Sequence, residues 1–508
     1  MGIATENAAT IAILLIAVGI LVWGYYRAKP FGKLGILAWL QSVSLMAPWL
    51  IFFGLFAAGL YLNLVSILFL LVASAGLYIF LGNQLRAASQ DEALRERIES
   101  MLKSSEDLDA IAEKAAENLT TSEPLISVPL PANRPADVLP IPSEDLKTIQ
   151  GIFGIDTFFA TETISYQNGA IFKGNLRGEP GKVYARLAAE LQQRLGERYR
   201  LFMVPNQEDK PVVIVLPSSN DPQPLTLSQK ILSLVLLLAT IATTFETGGL
   251  FLNFDFFNNT SRVGEILPFS AGIWAVLLAH EVGHQVLAKR HKVRFSWPFF
   301  IPAWQLGSFG ALNRFESLLP NRQVLFDIAF AGPAAGGVIS LGMLIVGLVL
   351  SHQGSLFQVP SEFFKGSILV GSLARVVLGS ALQQPLVDVH PLTIIGWLGL
   401  LLTAINLMPA GQLDGGRVVQ AIYGRKIAGR TTVATLIVLA LTSFVNPLAL
   451  YWALAIVFLQ RNLERPSLNE LTEPDDARAA LGLLALFLML ATLIPFAPSF
   501  AGRLGIGG

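Results

Sequence analysis

The chain has 508 residues, of which 53% are hydrophobic and 14% are charged, and its mean hydropathy is +0.56. Soluble domains carry about 25% charged residues, so this composition predicts a protein that crosses a membrane several times. The formal net charge is zero and the sequence contains no cysteine. These two facts argue against a nucleic-acid partner and exclude disulfides and thiolate metal ligands.

Three apolar segments, 8–26, 37–58 and 62–81, predict a membrane region over residues 1–83. No basic stretch precedes the first segment, so we expect no cleavable leader and favour a bacterial protein or a mature organellar one. Basic residues follow the first segment and Arg86 follows the third. The positive-inside rule then places the N-terminus outside and the chain after Arg86 in the cytoplasm.

Residues 84–142 are first rich in charged helix formers and then rich in proline, which predicts a solvated helix and a linker. Residues 143–217 predict a small soluble α+β domain. Strands at 157–165 and 170–176 flank an Asn168-Gly169 turn, a strong hairpin signal, and a helix at 180–195 precedes strands at 199–204 and 212–216. Its role stays open between binding a peptide at a sheet edge and gating access.

The predicted membrane core covers residues 225–430, with spans at 231–244, 269–288, 324–350 and 392–408. Residues 431–508 add spans at 431–444, 447–460 and 479–496; the piece 363–378 is left unassigned. The fold class is therefore a polytopic α-helical membrane protein of about ten transmembrane helices, with the soluble domain between the third and fourth.

Segment 295–322 is apolar but is broken by Pro298, Pro302, Gly307 and Gly310. It cannot be a spanning helix, because non-helical backbone at membrane depth must lie against protein or a wet cavity. We expect a re-entrant hairpin that borders the functional site; an interfacial loop is the alternative.

The span 269–288 contains His280, Glu281 and His284. Burying such groups in hydrocarbon costs about 2.5–3.5 kcal/mol for a central charge, so packing alone does not explain them. Residues four apart share a helix face, and H-E-x-x-H is the zinc pattern of two neutral imidazole ligands with a carboxylate that accepts a proton from water. Basic residues after Ala288 predict a metal near the cytoplasmic face.

A catalytic zinc takes three protein ligands. Asp414 follows the span 392–408 on the same predicted face, and Gly415 and Gly416 permit close backbone approach. Asp327 is a rival third ligand, and a helix N-cap is the structural alternative for Asp414. The small residues 332–337 predict a helix that packs tightly on the metal helix.

The pair of motifs His280-Glu281-Val-Gly-His284 and Asn406-x-x-Pro-x-x-x-x-Asp414-Gly resembles the site-2 protease family of intramembrane zinc metalloproteases. The resemblance implies that Asp414 is the third ligand of one zinc ion per chain and that Asn406 steadies the substrate or its oxyanion. It also implies that Glu281 is the proton acceptor. The implied substrate is a transmembrane segment of another membrane protein, cleaved within the bilayer.

A narrower resemblance rests on Gly174-Asn175-Leu176-Arg177, upstream of the metal helix. It is similar to the chloroplast and cyanobacterial branch named for ethylene-dependent gravitropism-deficient and yellow-green proteins, and the role of this motif is unknown. We expect a bacterial plasma or thylakoid membrane, cyanobacterial membranes included, with the active site toward the cytoplasm. The sequence leaves the oligomeric state open.

Three alternatives remain. A non-catalytic metal-binding membrane protein or transporter would have no need of Glu281. A zincin of another branch would take a glutamate on a later helix as third ligand, and Glu316 is poorly placed for that. A pseudoenzyme that acts through its soluble domain would not need the complete ligand set.

Overall fold

A computed structural model describes Gly19, residues 21–57, scattered positions between 70 and 85, and residues 141–506 except 167, 207, 305, 461, 498–500 and 503–504. The chain divides into two compact units, Met1–Asn133 and Arg134–Gly508. In the first unit α1 (Gly32–Ala57) covers most of the predicted span 37–58. The predicted spans 8–26 and 62–81 and the segment 84–142 lie largely outside the described residues.

The second unit begins with a four-stranded antiparallel sheet and two helices. The strands are β1 (Phe158–Tyr166), β2 (Gly169–Leu176), β3 (Tyr199–Pro205) and β4 (Pro211–Pro217), in the order β1-β2-β4-β3. Helices α2 (Ser143–Gln150) and α3 (Pro180–Leu195) cover one face, because α3 repeats buried Val183, Leu187 and Leu191 at helical spacing. The predicted hairpin and helix 180–195 are confirmed.

The motif at 174–177 lies at the end of β2. Gly174 pairs with Ala160 at a β-bulge in β1, and Asn175 pairs with Phe159. Asn175 and Arg177 are exposed. The backbone role of Gly174 is visible here; no function of the motif follows from the fold.

The rest of the second unit is mainly helical. Among the described residues, four helices are long and apolar enough to cross a membrane: α4, α5, α6 and α11. The elements in chain order are α4 (Leu227–Phe251), α5 (Val263–Arg290), β5 (Phe299–Ala303), β6 (Gly307–Leu312), α6 (Arg322–Leu350), β7 (Phe357–Pro360), α7 (Ile368–Leu378), β8 (Leu386–Val389), α8 (Pro391–Asn406), α9 (Asp414–Thr442), α10 (Pro447–Ala455) and α11 (Asp476–Leu493).

Helix α6 packs against α5, α8 and α9 and is the centre of this bundle. Glycines make the close approach possible. A Cβ atom on Gly283 of α5 would lie 2.4 Å from the carbonyl oxygen of Ala331, and one on Gly396 of α8 would lie 2.3 Å from the backbone nitrogen of Leu344. The predicted tight packing of the 332–337 segment on the metal helix is confirmed.

Segment 295–322 forms a β-hairpin, β5 paired with β6, with a register shift between Phe300 and Pro302. The hairpin lies against α4. Ser233 donates a hydrogen bond to the carbonyl of Pro298 at 2.7 Å, and Thr243 donates one to the carbonyl of Gly307 at 2.5 Å. Side chains of a helix thus satisfy part of its backbone, as irregular backbone in apolar surroundings requires.

A short strand-like piece, Leu468–Glu470, joins the sheet to the helical bundle. On one side the amide of Met203 in β3 donates to Leu468, and the amide of Glu470 donates back to Met203. On the other side the amides of Leu468 and Asn469 donate to the carbonyls of Leu319 and Pro320. We call this piece the bridging strand.

Gly174→Ala is expected to destabilise the sheet. The added Cβ would lie 2.2 Å from the carbonyl oxygen of Phe159 and 2.9 Å from the Cα of Ala160, and backbone atoms cannot yield cheaply. We expect a loss of about 1–3 kcal/mol, measured as faster amide hydrogen exchange over residues 158–176 in the full chain. Gly181→Ala is the control, since its Cβ meets nothing nearer than 3.8 Å. Equal exchange in both variants would contradict this packing.

Candidate metal centre

Two helices bring the predicted ligands together. His280, Glu281 and His284 lie on one stretch of α5, and Asp414 is the first residue of α9. The turn between α8 and α9 folds tightly enough to place Asp414 there: a Cβ on Gly415 would lie 1.8 Å from the carbonyl oxygen of Leu407. Only glycine permits that approach, as the sequence predicts.

Three donor atoms converge. The distance from His280 Nε2 to Asp414 Oδ2 is 3.1 Å, from His284 Nε2 to the same oxygen 3.4 Å, and between the two Nε2 atoms 3.1 Å. All three side chains are largely buried. Among the described residues this is the group of histidine and acidic side chains that could hold a metal ion.

This donor set fits zinc. Ligand bonds of 2.0–2.2 Å in a tetrahedron separate neighbouring donor atoms by about 3.3 Å, close to the three distances found here. The Nδ1–H of His284 donates to the carbonyl of Ile328 at 2.7 Å, which leaves Nε2 as the metal-facing atom. Such an outer hydrogen bond is the usual way in which a protein fixes a ligating imidazole.

Helix α6 shapes the pocket for the imidazoles. A Cβ on Gly332 would lie 2.2 Å from His284 Nε2, and one on Gly336 would lie 3.1 Å from the Cβ of His280. The glycines therefore serve the site as well as the helix packing.

Amide groups hold both oxygens of Glu281. Gln285 Nε2 donates to Oε1 at 3.0 Å, and Asn313 Nδ2 donates to Oε2 at 2.7 Å. The carboxylate is buried, and both of its oxygens accept hydrogen bonds from side-chain amides. Beside it is a cavity of about 10 Å³, which Asn406 and Gly310 also line. That volume holds about one water molecule.

Asn406 lies at the end of α8 and is buried. Its Nδ2 donates to the carbonyl of Leu402 at 3.0 Å, and a Cβ on Gly310 would lie 2.6 Å from the same nitrogen. The structure thus places Asn406 at the cavity between Glu281 and the hairpin.

Sequence reasoning missed four polar side chains next to the site: Gln285, Asn313, Arg417 and Glu464. Arg417 is buried; its Nε donates to Glu464 Oε2 at 3.0 Å and an Nη donates to the carbonyl of Asn313 at 2.7 Å. The Oδ1 of Asn313 is buried and has no hydrogen-bond partner among the residues that the structure describes. Arg417 directly follows Gly415 and Gly416, three residues after Asp414, and that position could have signalled it; Glu464 has no comparable signal.

Asp327, the rival third ligand, does not group with the two imidazoles among the described residues. Its carboxylate contacts Arg478 at 2.7 Å and His291 Nε2 at 3.1 Å. Asp414 is also not an N-cap, because it is the first residue inside α9 and Leu413 precedes it as the cap. Both facts leave Asp414 free for the imidazole pair.

Apolar helices enclose the two imidazoles of an H-E-x-x-H motif, a carboxylate as the third donor group, and a glutamate whose oxygens accept hydrogen bonds from amides. This arrangement is typical of a membrane-embedded metalloprotease. Residues 268–445 match Peptidase family M50, and residues 147–224 match the EGY3 middle domain. No solved structure matches the chain.

Curated relatives agree with this class. The probable zinc metalloprotease EGY2, chloroplastic, of Arabidopsis thaliana is 37% identical over 375 residues, which cover 72% of this chain and 67% of that protein. The probable zinc metalloprotease EGY1, chloroplastic, of the same plant is 37% identical over 401 residues, covering 72% and 73%. The probable zinc metalloprotease EGY3, chloroplastic, of Oryza sativa subsp. indica is 30% identical, covering 69% and 64%.

The chain therefore belongs to Peptidase family M50, in the EGY branch of the site-2 proteases. It is a membrane-embedded zinc metalloprotease, and zinc is its cofactor. The resemblance to both the family and its branch is confirmed.

Gly332→Ala is expected to weaken zinc binding by about 10- to 100-fold, the usual scale for disturbing a ligand's supporting contacts. The new methyl group would overlap the His284 ring at 2.2 Å. The measurement is the zinc that the purified protein retains at increasing chelator concentrations, determined by elemental analysis. Gly342→Ala in the same helix is the control, because its Cβ meets nothing within 4 Å. Full zinc content in Gly332→Ala would refute the close contact.

Proposed function

We propose that His280, His284 and Asp414 bind one zinc ion per chain, and that the enzyme hydrolyses a peptide bond within or near a transmembrane segment of another membrane protein. The observation that carries this proposal is the convergence of three donor atoms within 3.4 Å of one another, beside a glutamate whose two oxygens are both held. The bound zinc supplies a Lewis acid that favours attack by water and polarises the substrate carbonyl.

Glu281 is the proposed general base. It takes a proton from the attacking water and later passes it to the leaving amine. The cavity beside it has room for about one water molecule. Asn406, which lines the same cavity, is the proposed donor to the substrate carbonyl as negative charge develops there. Its present bond to the Leu402 carbonyl would have to be exchanged for one to substrate.

The substrate must be unwound. A helix hides its peptide groups in internal hydrogen bonds, and a cavity of one water cannot admit a folded segment. Strand β6 pairs with β5 on one side and with no other strand in the described part of the chain. We propose that its free edge holds the substrate in extended form by strand addition, since Gly310 lies at the cavity.

The membrane arrangement extends this proposal beyond the four apolar helices. We infer about ten spans, with residues 143–217 as a soluble domain between the third and fourth, a catalytic core over 225–430 and further spans over 431–508. An active site toward the cytoplasm and a bacterial origin remain predictions, because the named relatives are chloroplastic.

Glu281→Gln is expected to keep zinc and to lower kcat by about 100- to 10,000-fold, the usual contribution of a general base. The assay uses the protein reconstituted with single-span substrates, with and without chelator. Asp414→Ala serves beside it and should lose zinc as well as cleavage. A Glu281→Gln variant that cleaves normally would favour the non-catalytic role for this carboxylate and overturn the proposed mechanism.

Gly310→Val is expected to reduce cleavage at least tenfold while zinc remains bound. Gly310 has a φ of +93°, and its added side chain would overlap Asn406 at 2.6 Å and obstruct the edge of β6. Gly354→Val is a matched control, because its φ is +86° but its Cβ meets nothing within 4 Å. The strand-addition step fails if both variants cleave transmembrane substrates equally well.

A further inference from the structure

A buried ion pair lies directly behind the metal centre. Arg417 and Glu464 are 3% and 6% exposed, and Glu464 Oε2 contacts both Nε and an Nη of Arg417, at 3.0 and 2.9 Å. Breaking such a pair by removing one partner leaves an uncompensated buried charge, which is strongly unfavourable. A chain keeps this arrangement at a functional site when the position of the charge matters.

Arg417 lies beside Asp414 and also contacts Asn313, the residue that holds Glu281. Its Nη1 lies 3.9 Å from Asp414 Oδ1, too far for a hydrogen bond, so Asp414 Oδ2 stays directed at the imidazoles. Its other Nη donates to the carbonyl of Asn313, whose side-chain amide donates to Glu281. One guanidinium thus adjoins the third metal ligand and also anchors the residue that holds the base.

Glu464 in turn is held rigidly. Its amide donates to the side-chain oxygen of Gln420 at 3.1 Å, and the side-chain amide of Gln420 donates to its carbonyl at 3.2 Å. Its second carboxylate oxygen accepts the amide of Arg465 at 3.1 Å. These bonds fix the backbone of Glu464 and direct its carboxylate.

The charges support the same conclusion. Asp414 and Glu464 are buried carboxylates that both approach one guanidinium, at 3.9 and 2.9 Å. Without Glu464, the guanidinium would be unpaired beside Asp414 and would compete with the ion for it.

We infer that Arg417, locked by Glu464, is a positioning residue of this enzyme: it keeps Asp414 available to the metal and, through Asn313, fixes Glu281. This inference rests on the proposed metal site. Neither residue touches the metal or the substrate.

A single and a double variant separate the effect on zinc affinity from the effect on Glu281. Glu464→Gln frees Arg417 to pair with Asp414, so zinc affinity, measured by chelator competition on the full chain in detergent, should fall about 10-fold or more. Glu464→Gln with Arg417→Gln removes the competing cation, so zinc affinity should recover. In that double variant kcat at saturating zinc should stay at least tenfold low with KM unchanged, because Asn313 has lost its donor.

Glu473→Gln is the control for removing a carboxylate from the same region; it is exposed and pairs with Arg322 instead. Wild-type zinc affinity in Glu464→Gln would overturn the inference, as would an affinity that does not recover in the double variant. If Glu464→Gln alone does not fold, the double variant still decides, since wild-type kcat there would overturn it. Failure of the metal site itself would show differently, as full zinc binding by His280→Ala.

Discussion

The metal centre depends on the distance between two helices, α5 and α6. Glycines at 283, 332 and 336 let the backbones approach until the imidazoles of one helix lie against the other. Packed helices are usually about 8–10 Å apart, a separation set by the side chains at the contact. Without side chains there, the α6 backbone itself becomes the wall of the site, and the Ile328 carbonyl reaches His284 directly.

That constraint has an electrostatic counterpart. The bundle encloses several carboxylates among apolar helices, and each is matched by a specific group: Glu246 by the amide of Phe256, Asp327 by Arg478, and Glu464 by Arg417. Burial of a charge is tolerated only with such partners. Asp414 contacts imidazoles that are themselves candidate ligands, and together with them it offers three donor atoms to one metal ion.

Much of the site could be predicted from the sequence, because its signals are local. H-E-x-x-H places two imidazoles on one helix face whatever surrounds them, and the glycines after Asp414 indicate a tight turn. The hairpin of the sheet domain could also be predicted, since an Asn-Gly turn between two strands of alternating polarity is a strong hairpin signal. Spacing alone left the choice between Asp414 and Asp327 open and the family resemblance favoured Asp414; only the fold shows that Asp327 pairs with Arg478.

What the sequence could not show comes from distant parts of the chain. Asn313, Arg417 and Glu464 meet only after the hairpin, α9 and the segment before α11 have packed together. Helix α4 was predicted too short, over 231–244, because Glu246 interrupts its apolar run; the carboxylate is satisfied at the amide of Phe256 and the helix continues to Phe251. Periodicity cannot report such tertiary compensation.

The bridging strand Leu468–Glu470 has a mechanical consequence. Four backbone hydrogen bonds tie β3 on one side and Leu319 and Pro320 on the other, each worth about 0.5–1.5 kcal/mol. A hinged domain would need a flexible connection, whereas this sheet is fixed by the backbone hydrogen bonds of the bridging strand. Glu464 belongs to the stretch of chain that leads into the bridging strand, so the sheet is tied by backbone hydrogen bonds to the same segment that supplies the partner of Arg417.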